Sequence, residues 1–235
     1  MRGAFIAITI TLAGCAPSHD AEDAGQRLMI LMKKAHGGAA LDVPSGYHET
    51  GTITFDGTAA SYEEWGDFHS LRTASAISRS DGAEMANGFD GERTWKVDPD
   101  GSLVTDSSGD AVMSARLSTY LSVHGYFHPD RFPAAFEFLG RRTADGVSYD
   151  VVKVTPENAG PVDLWLDTEN HRLQRFSGVD GGMAFSGAIL KYGVIGGATI
   201  PMQTTQKTGR LTLVQTTTSY AYENVPGETF SPPVE

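Results

Sequence analysis

Six Asp-Gly pairs, beginning at positions 56, 81, 90, 100, 145 and 180, punctuate this chain of 235 residues. Between them lie short runs rich in Thr, Val, Tyr, Phe and Trp. Asp-Gly supplies the left-handed backbone that tight hairpin turns demand, and its repetition between apolar runs reads as an antiparallel meander. The strands predicted on this basis are 47–56, 60–69, 72–79, 83–89, 93–98, 102–106, 136–143, 147–155, 161–167, 172–178, 183–193, 199–207 and 211–222.

Two segments break the strand pattern. Leu28, Leu31, Met32 and Ala35 share one face of a helix that Ser18 or Asp20 caps, that runs to about His36 and that Gly37-Gly38 stops. Val112, Met113, Leu117, Tyr120 and Leu121 recur at helical spacing over 110–123, before Gly125. Pro129 and Pro133 keep the stretch to Phe136 irregular. A sheet of this many strands must curl, close or split. The expected fold is therefore mainly β (α+β). It is a curled antiparallel sheet or half-barrel of about 11–13 strands, with the N-terminal helix and one inserted helix on its concave face. A two-sheet sandwich satisfies the same pattern.

Cys15 is the single cysteine, so no disulfide is available. Arg2, the apolar stretch 4–13 and the small residues before Cys15 describe a secretion signal too short to be a finished membrane span. Leu12-Ala13-Gly14-Cys15 resembles the lipobox of bacterial lipoproteins. That resemblance implies cleavage before Cys15, acylation of its thiol and attachment to a membrane. Ala16 then favours the outer membrane, facing the periplasm. The expected organisation is a signal peptide over 1–14, a lipidated tether over 15–23, one domain over 24–225 and a loose tail over 226–235.

A net charge of −11 without a basic cluster disfavours nucleic acid and anionic membrane surfaces as partners. No Gly-x-Ser-x-Gly elbow, phosphate-cradling loop or His-Glu-x-x-His motif is present. His124 and His128 stand four apart, but Gly125 and Pro129 interrupt any helix that would align them. They read as loop histidines packed on aromatics, with no metal and no cofactor expected. Glu63-Glu64, Asp163 and Asp167 read as solvated faces. No catalysis is required.

Several segments carry a resemblance. Phe89-Asp90-Gly91-Glu92-Arg93-Thr94-Trp95-Lys96-Val97-Asp98 looks like a hairpin of LolA/LolB-like envelope proteins. The segments from Tyr126 to Pro133, Tyr149 to Pro156 and Val162 to Asp167, with Arg172-Leu173, resemble bacterial lipoproteins and domains that precede some retropepsin-like aspartyl proteases. No Asp-Thr-Gly or Asp-Ser-Gly is present, so no protease domain is expected within these residues. The resemblance implies an incomplete barrel around helices, enclosing an apolar cavity for acyl chains.

Strand parity nominates the lining of such a cavity. Trp95 and Val97 share a face, as do Phe136 and Phe138, and Leu164 and Leu166; Leu117 and Tyr120 come from the inserted helix. Core packing satisfies the same parity. Trp165 falls with Asp163 and Asp167 on the polar side, and Glu64 interrupts the parity of Tyr62 and Phe68, leaving that strand ambiguous. The expectation is a lipid-anchored, non-catalytic envelope protein that binds a lipid or a lipoprotein acyl chain. The alternative is an interaction module for another envelope protein, such as a separately encoded protease.

Overall fold

The computed structural model describes residues 19–55 and 57–233. The proposed signal, Cys15 and the first tether residues lie outside the described residues, as does Asp56. Among the described residues thirteen strands form one antiparallel sheet: β1 (Gly46–Phe55), β2 (Thr58–Asp67), β3 (Arg72–Arg79), β4 (Glu84–Phe89), β5 (Thr94–Val97), β6 (Leu103–Asp106), β7 (Ala134–Ala144), β8 (Val147–Pro156), β9 (Val162–Asp167), β10 (Leu173–Asp180), β11 (Met183–Ile195), β12 (Ala198–Thr208) and β13 (Leu211–Tyr222). Helix α1 (His19–Ala35) precedes them and α2 (Gly109–Ser122) is inserted after β6.

Turn chemistry builds the sheet locally. Asp145 and Gly146 take φ of 50° and 77°, the paired left-handed residues of a type I′ turn joining β7 to β8. Gly181-Gly182 and Gly196-Gly197 close the next two long hairpins in the same way. The sheet order is β6-β5-β4-β3-β2-β1-β13-β12-β11-β10-β9-β8-β7. Every neighbour is sequential except β1 and β13, which pair across almost the whole domain, from Tyr47↔Tyr222 to Phe55↔Leu213. The free edges are β6 and β7, so the barrel stays open, and α2 carries the chain from one edge to the other. A single continuous sheet replaces the sandwich alternative.

Helix α1 lies over β7 and β8. Asp20 and Glu22 sit in its first turn and Lys33 and Lys34 in its last, each complementing the helix dipole. Gly25 makes the closest approach: a Cβ there would stand 2.7 Å from the Phe136 carbonyl oxygen. Met29 and Met32 enter the core with Val152, Val154, Leu164 and Leu166. His36, just past the helix, is buried between three segments. Its Nδ1 lies 2.9 Å from the Thr199 carbonyl, and its Nε2 accepts the Leu173 backbone N–H at 3.2 Å. These partners fix the neutral Nδ1–H tautomer, and burial lowers the ring's pKa.

Two boundary expectations change. The described helix already includes His19, so residues 19–23 of the expected tether are helical. In the segment 226–235, expected to be a loose tail, the described residues include a docked turn. Gly227–Phe230 forms a 3-10 turn, Phe230 is fully buried, and its carbonyl accepts the Trp95 Nε1–H at 2.8 Å. The Arg72 guanidinium lies 4.9 Å from the Phe230 ring centroid. Three prolines do not make the segment loose, because one aromatic anchor and one buried hydrogen bond hold it against β3 and β5.

Candidate functional site

The two helices cover the two ends of the concave face and leave its middle open. Helix α1 lies over β7 and β8, while α2 contacts β3, β4 and β5. Over β1 and β10–β13 a cavity of about 280 Å³ remains. Leu117 and Leu121 of α2 border it, facing Phe176, Phe185, Ile189 and Met202 of the sheet. Along β12 the inward residues run Ile200, Met202, Thr204, Gln206, Thr208, from buried to exposed. With Met183 at 59% exposure, the last of these mark the mouth.

The opposite part of the wall is acidic. Glu49 of β1 and Glu64 of β2 are directly opposite in register, so both carboxyls rise from the same face. Tyr47 Oη donates to Glu64 Oε1 at 2.5 Å. Glu49 is 7% exposed and accepts from Gln215 Nε2 at 2.8 Å, Tyr62 Oη at 3.1 Å and Thr217 Oγ1 at 3.3 Å. Burial and the nearby Glu64 charge push the Glu49 carboxyl up to about 8, against the opposing pull of those three donors. Burial also raises Glu64, offset by hydrogen bonds from Tyr47 and Ser122. Tyr220, opposite Glu49 on β13, stacks on Tyr47 with centroids 5.3 Å apart, and its buried hydroxyl has no hydrogen-bond partner.

The predicted histidine pair separates. His124 takes the left-handed conformation (φ 51°) that ends α2, lines the cavity and packs near Tyr126 and Phe127. Burial holds its pKa down to about 3. His128 is buried beside Phe68, with Nδ1 3.4 Å from Asp42. Among the described residues no group of three His, Cys, Asp or Glu is placed to hold a metal.

Of the eight lining residues expected from parity, Leu117 reaches the cavity wall. Tyr120, Phe136, Leu164 and Leu166 fill the core beside it, and Phe138 is half-buried on β7. Trp95 and Val97 are displaced for a different reason. Trp95 pairs through Gly88 and Ala74 to Trp65, one residue out of phase with Glu64, so its ring lies on the convex face under the docked tail. Trp95 also borders, through its strand, a second hollow of about 420 Å³ between α2 and β3–β6. Sequence reading missed Glu49, Glu64, Tyr220 and the Thr and Gln wall of β12 and β13. The available signal was Glu64, whose break in the parity of Tyr62 marks an inward acid rather than a solvated face.

No protein-family model and no curated protein matches the chain. Solved structures do. A LolA superfamily protein from Nitrosomonas europaea aligns with a TM-score of 0.60 at 12% identity, covering 88% of this chain and 97% of its own. A DUF1329 family protein from Desulfovibrio piger gives 0.58 at 14% identity, covering 90% and 97%. A domain from Vibrio parahaemolyticus assigned to outer-membrane lipoprotein sorting gives 0.57 at 10% identity, covering 88% and 97%. At these identities the likeness establishes the fold: the chain adopts the LolA-like open half-barrel.

Proposed function

We propose that this chain is a lipid-anchored protein of the bacterial cell envelope that binds one amphiphile, a lipid or acyl chain, in its half-barrel cavity. The observation that carries the reading is the cavity of about 280 Å³ left open over β10–β13 between two helices. That volume lies just below the usual range of about 300–1,000 Å³ for small-ligand sites and suits a single chain. The driving force is desolvation of the chain against Leu121, Phe176, Phe185, Ile189 and Met202, worth about 25 cal/mol per Å² removed from water. No catalytic step is assigned. Cys15, outside the described residues, supplies the anchor through its lipobox-like setting, and two or three acyl chains there hold durably where one does not.

Filling the cavity tests this. Thr204 lines the wall and is half-buried, so Thr204→Trp places an indole in the open space. Wild-type protein is expected to bind the uncharged dye N-phenyl-1-naphthylamine with unit stoichiometry. The variant is expected to lose about tenfold or more in affinity with its melting temperature nearly unchanged. Dye binding that is absent in wild type, or equal in the two proteins, contradicts the reading.

A further inference from the structure

The charge on the cavity wall restricts the amphiphile's polar end. Glu49, Glu64, Asp180 and His124 are the Asp, Glu, Lys, Arg and His residues among the described lining residues. Burial keeps His124 neutral near physiological pH, leaving three acids and no lysine or arginine. A fatty acid or phosphate head would bring further negative charge to a place where burial and Glu64 already make Glu49 hold its proton. A cation would instead stabilise the ionised pair.

A second observation at the same place points to a missing partner. Tyr220 lines the cavity opposite Glu49; the residue is 9% exposed, and its buried hydroxyl has no hydrogen-bond partner. Buried polar atoms left unpaired are rare because each forfeits its hydration without return. Its ring stacks on Tyr47, whose hydroxyl holds Glu64. Glu64, the free phenolic oxygen and Glu49, which gives up its proton as a cation binds, thus offer three acceptors, and a primary ammonium carries three N–H donors. The stacked tyrosines add aromatic surface of the kind that attracts a desolvated cation.

We propose that the Glu49–Glu64 pair, with Tyr220, forms a head-group subsite for a primary ammonium, so that the cavity's ligand is a single-chain cationic amphiphile rather than a fatty acid. The ammonium sits between the two carboxyls, and the chain runs along Phe176, Phe185, Ile189 and Met202. This rests on the cavity-binding reading above and adds the class of ligand.

Isothermal titration at pH 7.5 with three probes of equal chain length separates the two claims. The probes are dodecylamine, dodecanol and dodecanoate, each below its critical micelle concentration. The protein is the chain from residue 15 onward carrying Cys15→Ser, which contains every residue of the described fold. The expected order is dodecylamine tightest, about tenfold or more ahead of dodecanol, with dodecanoate weakest. The ratio of amine to alcohol affinity is expected to fall to within about threefold in Glu49→Gln/Glu64→Gln, and by a smaller factor in Tyr220→Phe, which removes only one oxygen. Dodecanoate binding as tightly as the amine overturns the subsite. So does an amine preference that survives the double glutamine change. If all three bind alike, the ammonium subsite fails while the cavity reading stands; if none binds, both fail.

Discussion

At the scale of single residues, the acids inside the sheet determine how the protein responds to pH. Glu49 is raised from 4.5 to about 8, with Glu64, Tyr47 and Tyr62 facing it, so the folded state holds a proton that the unfolded chain releases. Its contribution to stability is full below about pH 4.5 and is lost as pH rises toward 8. The buried histidines act in the opposite sense: His124 and His128, lowered to about 3 and about 4, contribute fully above 6.5 and lose that contribution as pH falls through those values. Above pH 6.5 the histidine contribution is constant. The ligand-free protein is therefore expected to melt at progressively lower temperature from pH 6.5 to 8.5, and Glu49→Gln to flatten that slope. A wild-type melting temperature that rises over this interval contradicts the assignment. His36 makes a second residue-scale test. His36→Ala strips a buried acceptor from the Leu173 N–H and a donor from the Thr199 carbonyl, and is expected to cost about 2–4 kcal/mol in urea unfolding.

At the scale of elements, the strands and helices were legible because their signals are local. Asp145-Gly146 carries its turn signal in two adjacent residues, and α2 shows its spacing within one window. What each face touches is not local. Residues 203–220 carry Thr, Gln or Ser on both parities, so nothing in β12 or β13 alone says which face is inward. Trp95 advertised an apolar face correctly, but the partner of that face is Phe230, 135 positions away. The docked tail is accordingly an element of the fold: Phe230→Ala is expected to cost about 3–5 kcal/mol, read by chemical denaturation. The contact of α1 with β7 is similarly strict. Gly25→Ala drives a methyl to 2.7 Å from the Phe136 oxygen, and is expected to destabilise despite alanine's better helix propensity.

At the scale of the whole molecule, the open barrel follows from its topology. The pairing of β1 with β13 closes the centre of the sheet, while β6 and β7 remain unpaired edges joined by α2. Two helices cannot cover the concave face of thirteen strands, and the uncovered part carries Thr, Gln and Glu where large apolar side chains would otherwise fill it. The cavity is a consequence of that choice of residues. The candidate site was legible only as far as the expectation of a cavity and the placement of Leu117, because hollow and filled cores share the same strand parity. Native mass spectrometry of the Cys15→Ser chain exported to a periplasm reads the occupancy of the cavity itself. One bound small molecule per chain is expected, released by organic solvent and identified as a single-chain amphiphile. A bare polypeptide mass, from protein that also fails to take up dodecylamine or dodecanol, would contradict cavity binding.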